Sequence, residues 1–109
     1  MTSPSEITQA KFSIGDLIHH RLFAYRGVIV DVDSVCQASD EWYLEVAKSR
    51  PPKDKPWYHV LVDDSQHTTY VAEQNLEADI NDTPIQHPML AEYFNNFENG
   101  RYLTNKTTN

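Results

Sequence analysis

Four groups of residues in this 109-residue chain could carry chemistry, and each has a plainer reading beside it. The first is a set of five histidines, which invites a metal site. His19 and His20 are adjacent, so on a strand they point to opposite faces and cannot easily share an ion. His59 and His67 lie on or beside a hairpin and could approach each other. No supporting cysteine or spaced His/Glu motif accompanies them. We therefore expect no metal, with His59 a half-buried strand histidine.

The second group is the carboxylate pairs Asp31/Asp33 and Asp63/Asp64. Paired acids serve glycosidase-type chemistry only in a cleft and with a raised pKa. A solvated strand face and a turn are the expected roles. The third is Cys36, the one cysteine. A single thiol cannot form an internal disulfide, which fits a reducing compartment. A nucleophilic thiol needs an electropositive setting, whereas Cys36 sits among Asp31, Asp33 and Asp40 in sequence. It reads as a spectator at a strand end. Gly15, Gly27 and Gly100 are scattered, so no phosphate-binding loop forms, and no nucleophile elbow is present. No catalytic residue and no cofactor are expected: the chemistry points to binding.

The fourth group is a basic cluster, Lys48, Arg50, Lys53 and Lys55, close to Trp42, Tyr43 and Trp57. Basic side chains interleaved with aromatics suit a nucleic-acid surface. They equally suit a helix C-terminus followed by a solubilising loop. Charge elsewhere weighs against DNA. The formal net charge is −7. Residues 56–100 hold no Lys or Arg and eight Asp or Glu, a field that repels phosphate backbones.

The elements that must position these groups follow from hydrophobic pattern. The length fits one domain. We expect a flexible lead-in over 1–11, a single domain over 12–100 and a flexible tail over 101–109. A turn at Gly15-Asp16 feeds a short strand ending at His19-His20, and Arg21–Tyr25 form a connection. Gly27 opens a β-branched run to Asp33, with Val28, Val30 and Val32 on the inward face. Residues 34–56 form a long connection holding a short helix. Ser39 or Asp40 caps it, and Lys48 and Arg50 lie at its end, before Pro51-Pro52 stops it. Trp57–Asp63 and Thr68–Ala72 make a hairpin.

Pro88 then opens a late helix that Gly100 stops, with Met89, Leu90, Tyr93, Phe94 and Phe97 on one face. The fold class is mainly β: a small curled antiparallel sheet or open SH3-like barrel, with a short helix in a long connection and a C-terminal helix. No apolar run approaches a membrane span, and Met1–Ala10 lacks the layout of a secretion signal. A cytoplasmic location is expected.

Four segments carry a resemblance. They are Phe12-Ser13-Ile14-Gly15 with Leu17, Tyr25-Arg26-Gly27-Val28-Ile29-Val30-Asp31-Val32-Asp33, Pro56-Trp57-Tyr58-His59-Val60-Leu61-Val62-Asp63-Asp64 and Thr69-Tyr70-Val71-Ala72-Glu73-Gln74-Asn75-Leu76. In order and spacing the chain resembles the YccV-like (HspQ) family from about Lys11 to about Glu98, and the Pro-Trp-Tyr-His-Val run is the most specific piece. The resemblance implies a stress-induced cytoplasmic protein without catalytic residues. Such proteins are described as binding hemimethylated DNA, and as adaptors that promote the turnover of particular or denatured proteins by ATP-dependent proteases.

The acidity of residues 56–100 turns the expectation toward protein partners, namely a protease and its clients. The candidate surfaces are the connection with Trp42, Tyr43, Lys48 and Arg50, and the late helix with Tyr93, Phe94 and Phe97. The alternative is DNA binding through Lys48, Arg50, Lys53 and Lys55. Exposed strand edges make a homo-oligomer plausible.

Overall fold

The β-branched and aromatic runs of the sequence become the strands of one sheet. The computed structural model describes residues 9–104. Five strands, β1 (Leu17–His20), β2 (Arg26–Asp33), β3 (Trp57–Val62), β4 (Thr68–Ala72) and β5 (Leu76–Ala78), form an antiparallel sheet in the order β4-β3-β2-β1-β5. The sheet is curled but not closed, so β4 and β5 are its edges. A 3-10 turn, Glu73–Asn75, links those two edges. One helix, α1 (Asp40–Val46), lies in the connection between β2 and β3. A single helical turn, α2 (Leu90–Tyr93), precedes a separate hairpin of β6 (Asn96–Glu98) and β7 (Arg101–Leu103).

Both faces of the sheet are covered. One core gathers side chains from all five strands: Ile18, Ile29, Tyr58, Val60, Val71 and Leu76. The other joins Leu17, Val28 and Leu61 to Ile85, Phe94 and Tyr102 from the C-terminal segment. The three valines expected on one inward face are therefore split. Val28 and Val30 pack on the second core and Val32 on the first. The cause is a bulge at Val30, where β2 has one more residue than β3 between the pairs Ile29↔Val60 and Asp31↔His59. An extra residue reverses the side-chain phase beyond it. Gly27 is fixed by close approach, because a Cβ there would lie 2.5 Å from Val60 Cγ1 and 2.6 Å from the Leu61 carbonyl oxygen.

The C-terminal expectation needs correction. The helix expected from Pro88 to Gly100 is one turn long, and Phe97 lies on a strand. Asn99 and Gly100 both take positive φ, 52° and 77°, the signature of a two-residue hairpin turn. Arg101–Leu103, expected in a flexible tail, form β7. Tyr102 is buried and its hydroxyl accepts from the Ile85 amide at 3.0 Å, which locks the hairpin to the body. The rest of the expected tail, 105–109, and residues 1–8 of the expected lead-in lie outside the described residues.

Arg26 fastens the stretch from Asp79 to Thr83 to the sheet. Its Nε donates to Asp79 at 2.7 Å, and its other nitrogens reach Asp63 and the carbonyls of Asn81 and Thr83. The Asp79 side chain is only 7% exposed. Arg26→Met strands that carboxylate without its partner, which costs about 2–3 kcal/mol once the partial exposure of Arg26 is allowed for. Chemical denaturation checks this: an unchanged midpoint would show that the network holds nothing.

Candidate functional site

The aromatic residues of β3, β4 and α1 meet at one end of the sheet. Trp57 and His59 on β3 share a face with their β4 partners Ala72 and Tyr70. The bulge at Val30 brings Asp31 and Asp33 onto that same face, opposite His59 and Trp57. Asp33 accepts from the Tyr70 hydroxyl at 2.6 Å and from His59 Nε2 at 3.1 Å. Burial and the Asp33 carboxylate hold the Tyr70 phenol well above its usual pKa, so it stays a donor. Asp31, Asp33 and His59 bring ligand-type atoms within 4.8 Å of one another. Asp31 also accepts from the Val32 amide, so hydrogen bonds within the protein engage all three. His67, which the sequence sets beside His59, instead gives its carbonyl to His87 Nε2 at 3.0 Å.

α1 is held against this face from both ends. Ser39 caps its N-terminus, accepting from the Trp42 amide at 3.1 Å. Trp42 then packs edge-on to Trp57 and Tyr70, with ring centres 6.0 and 5.7 Å apart. The Tyr43 ring lies tilted against Trp57, with centres 6.2 Å apart, and its hydroxyl donates to the Pro51 carbonyl at 2.6 Å.

Opposite α1 stands the loop between β1 and β2. His20 is buried, and its Nδ1 accepts from the amides of Leu22 (3.1 Å) and Phe23 (3.0 Å). Its ring stacks on Phe23 at 4.7 Å. Tyr25 bonds Thr69 of β4 through its hydroxyl at 2.7 Å. The result is a rigid hook with an apolar tip: Phe23 is 75% exposed and Leu22 59%.

Between hook and helix runs a groove of about 800 Å³, and all five residues of β4 line it. Trp42, Tyr70, Val46 and Pro51 wall one side, and Leu22, Phe23 and Tyr25 the other. Exposed apolar surface of this extent is of the kind binding sites use, which makes the groove the candidate site.

The hook depends on pH. Burial, and then the neighbouring His19, hold the His20 pKa below its ordinary 6.5. Two amides donating to Nδ1 require the neutral ring. Below about pH 6.5 the unfolded chain takes up a proton that the folded chain resists. Stability is thus fully present above that pH and falls as the medium is acidified. Melting curves from pH 7.5 to 5 should show the decline, and H20Q should flatten part of it. Equal acid sensitivity in the two proteins would contradict this role.

Half of the basic cluster is engaged by other groups of the protein. Arg50 lies beyond the helix, which ends at Val46, and donates to the carbonyls of Leu44 and Ala47. Lys53 pairs with Asp40 and lies 4.8 Å over the Tyr43 ring. Lys48 lines the groove, and neither Lys48 nor Lys55 forms an ion pair among the described residues.

The late segment lies apart from this end of the sheet. Phe94 is buried in the second core, Phe97 packs on Tyr102 at 4.6 Å, and Tyr93 is 38% exposed. Sequence reasoning selected Trp42 and Tyr43, which meet at Trp57. As site residues it passed over Leu22 and Phe23, whose one signal is an apolar pair inside a connection, and Tyr25 and Tyr70, which entered only as members of the family-like segments.

A family model described as "Hemimethylated DNA-binding protein YccV like" matches residues 10–101. The chain belongs to the YccV-like family. The match runs from just before Phe12 to β7, so it takes in the whole sheet, the hook, α1 and the groove between them. The groove of this YccV-like chain is predominantly apolar. No helix among the described residues is long and apolar enough to cross a membrane.

Proposed function

We propose that this YccV-like domain is a non-enzymatic adaptor of the heat-stressed cytoplasm. It holds unfolded stretches of polypeptide in the groove beside β4 and brings them to an ATP-dependent protease. The observation that carries the reading is the exposed hook, Leu22 and Phe23, facing Trp42 and Tyr70 across an apolar groove. Denatured proteins expose the apolar side chains such a groove takes. The mechanism is proximity: a client held near the protease is cleaved sooner, with no bond chemistry in the adaptor. In a purified system the domain should accelerate the degradation of a denatured client and leave a folded one alone. No acceleration with any ATP-dependent protease of the same cell would overturn the adaptor role.

DNA binding is the second reading, favoured by the family description and by two cations outside any ion pair among the described residues, Lys48 in the groove lining and Lys55 in the same connection. With Arg50 and Lys53 engaged, two phosphate contacts remain, so log affinity should fall with log salt with a slope of about 2. Titration into hemimethylated, fully methylated and unmethylated duplexes decides. Weak binding indifferent to methylation keeps the adaptor reading in front. Selective binding to the hemimethylated duplex, lost in the K48E/K55E protein, would reverse the order.

A further inference from the structure

The groove has a floor of a particular kind. β4 is an edge of the sheet: it pairs with β3 on one side, and no described strand pairs with it on the other. Every residue of β4 lines the groove, while the hook and the α1 connection wall its two sides. The outward amides and carbonyls of β4 therefore lie where an occupant would rest. A strand of five residues spans about 17 Å.

An extended chain laid along that edge sends alternate side chains to opposite faces. One set meets Phe23 and Tyr25, whose hydroxyl bonds the Thr69 side chain on one face of β4. The other set meets Trp42 and Tyr70. Both walls are apolar, so an occupant with apolar residues at successive positions is accommodated on both faces. Among Lys, Arg, Asp and Glu, Lys48 alone lines the groove, and its ammonium has no ion-pair partner among the described residues. It fits a carboxylate on the occupant. Edge strands this open are normally blunted by charge, proline or a covering segment. Thr68-Thr69-Tyr70-Val71-Ala72 carries no charge and no proline.

We propose that the groove captures unfolded polypeptide by strand addition to β4, favouring apolar segments flanked by acidic residues. The inference rests on the polypeptide-binding reading above and names its mode. Main-chain hydrogen bonds supply affinity for many sequences, and the two walls select apolar side chains. That is the breadth of recognition an adaptor for denatured proteins needs.

The probe is a fluorescein-labelled decapeptide whose six central residues are apolar and β-branched, with two aspartates at each end. Two further versions carry Nα-methyl groups on the odd or on the even central residues. In a strand added to an edge, one alternating set of amides faces the protein and the other faces solvent. Anisotropy titration should show the parent binding, one methylated version retaining affinity and the other weaker by tenfold or more. A version with lysines in place of the aspartates should bind severalfold more weakly, and K48A should erase that preference.

If both methylated versions bind like the parent, strand addition is overturned while polypeptide binding stands. If no version binds, strand addition is again overturned. A reduced, carboxymethylated unfolded protein then decides the underlying reading, since its binding preserves that reading and its failure removes both. If the protein sediments as a dimer that the probe cannot disrupt, and D-labelled β4 amides stay protected, a second copy occupies the edge and the proposal fails.

Discussion

Trp57→Ala should lower the unfolding free energy by about 3–5 kcal/mol, the cost of truncating a fully buried large aromatic. Trp57 is 1% exposed and is the hub on which Trp42, Tyr43 and Tyr70 converge. Its Nε1 donates to the Pro52 carbonyl at 3.0 Å, tying the long connection back to β3. α1 has seven residues and none of them is buried. A helix so short is unstable by itself, so its place depends on the rings beneath it. For a domain of this size each kcal/mol moves the melting temperature by roughly 4–8 °C, which predicts a fall of about 12–40 °C. Trp57→Phe keeps a ring and loses the Pro52 bond, and should cost about 1–2 kcal/mol. Circular dichroism melts check both. If alanine melted within a few degrees of the parent, the aromatic hub would not be what holds α1 and the groove wall.

The double substitution Leu22→Ser and Phe23→Ser should do the opposite: little to stability, much to binding. Both side chains are mostly exposed, so folding loses about 0.5 kcal/mol or less. A client that covers them regains apolar burial of about 1 kcal/mol or more at each. Affinity for a denatured client should therefore fall about 10- to 100-fold, with the melting temperature nearly unchanged. Equal affinity in the two proteins would place the client elsewhere. The late segment carrying Tyr93, which is also exposed, would then be the next surface to alter.

The sheet was legible where local pattern and tertiary demand agree. Gly27–Asp33, Trp57–Asp63 and Thr68–Ala72 are rich in β-branched and aromatic residues, and all three become strands. The Val30 bulge was not legible, because it arises from the register against β3 and leaves no mark on alternation. Leu76–Ala78 is three residues long, too short for a period. The late hairpin was misread because Leu90, Tyr93, Phe94 and Phe97 fit a helical period and Gly100 fits a helix stop. The stronger local signal was Asn99-Gly100, which suits a two-residue hairpin turn.

The site divides in the same way. Trp42 and Tyr43 stand out as aromatics behind a good N-cap, Ser39. Leu22 and Phe23 look like filler in a connection until His20 is seen to fold that connection into a hook. Composition alone made four cations one patch. Geometry turns Arg50 onto helix carbonyls and Lys53 onto Asp40.

Amide hydrogen exchange of the protein, alone and saturated with a reduced, carboxymethylated unfolded protein, tests the central claim most directly. The account predicts slowed exchange confined to residues 21–25, 42–50 and 68–72, the hook, the helix wall and the edge strand. Protection confined to residues 89–103, with the groove exchanging as fast as before, would contradict it.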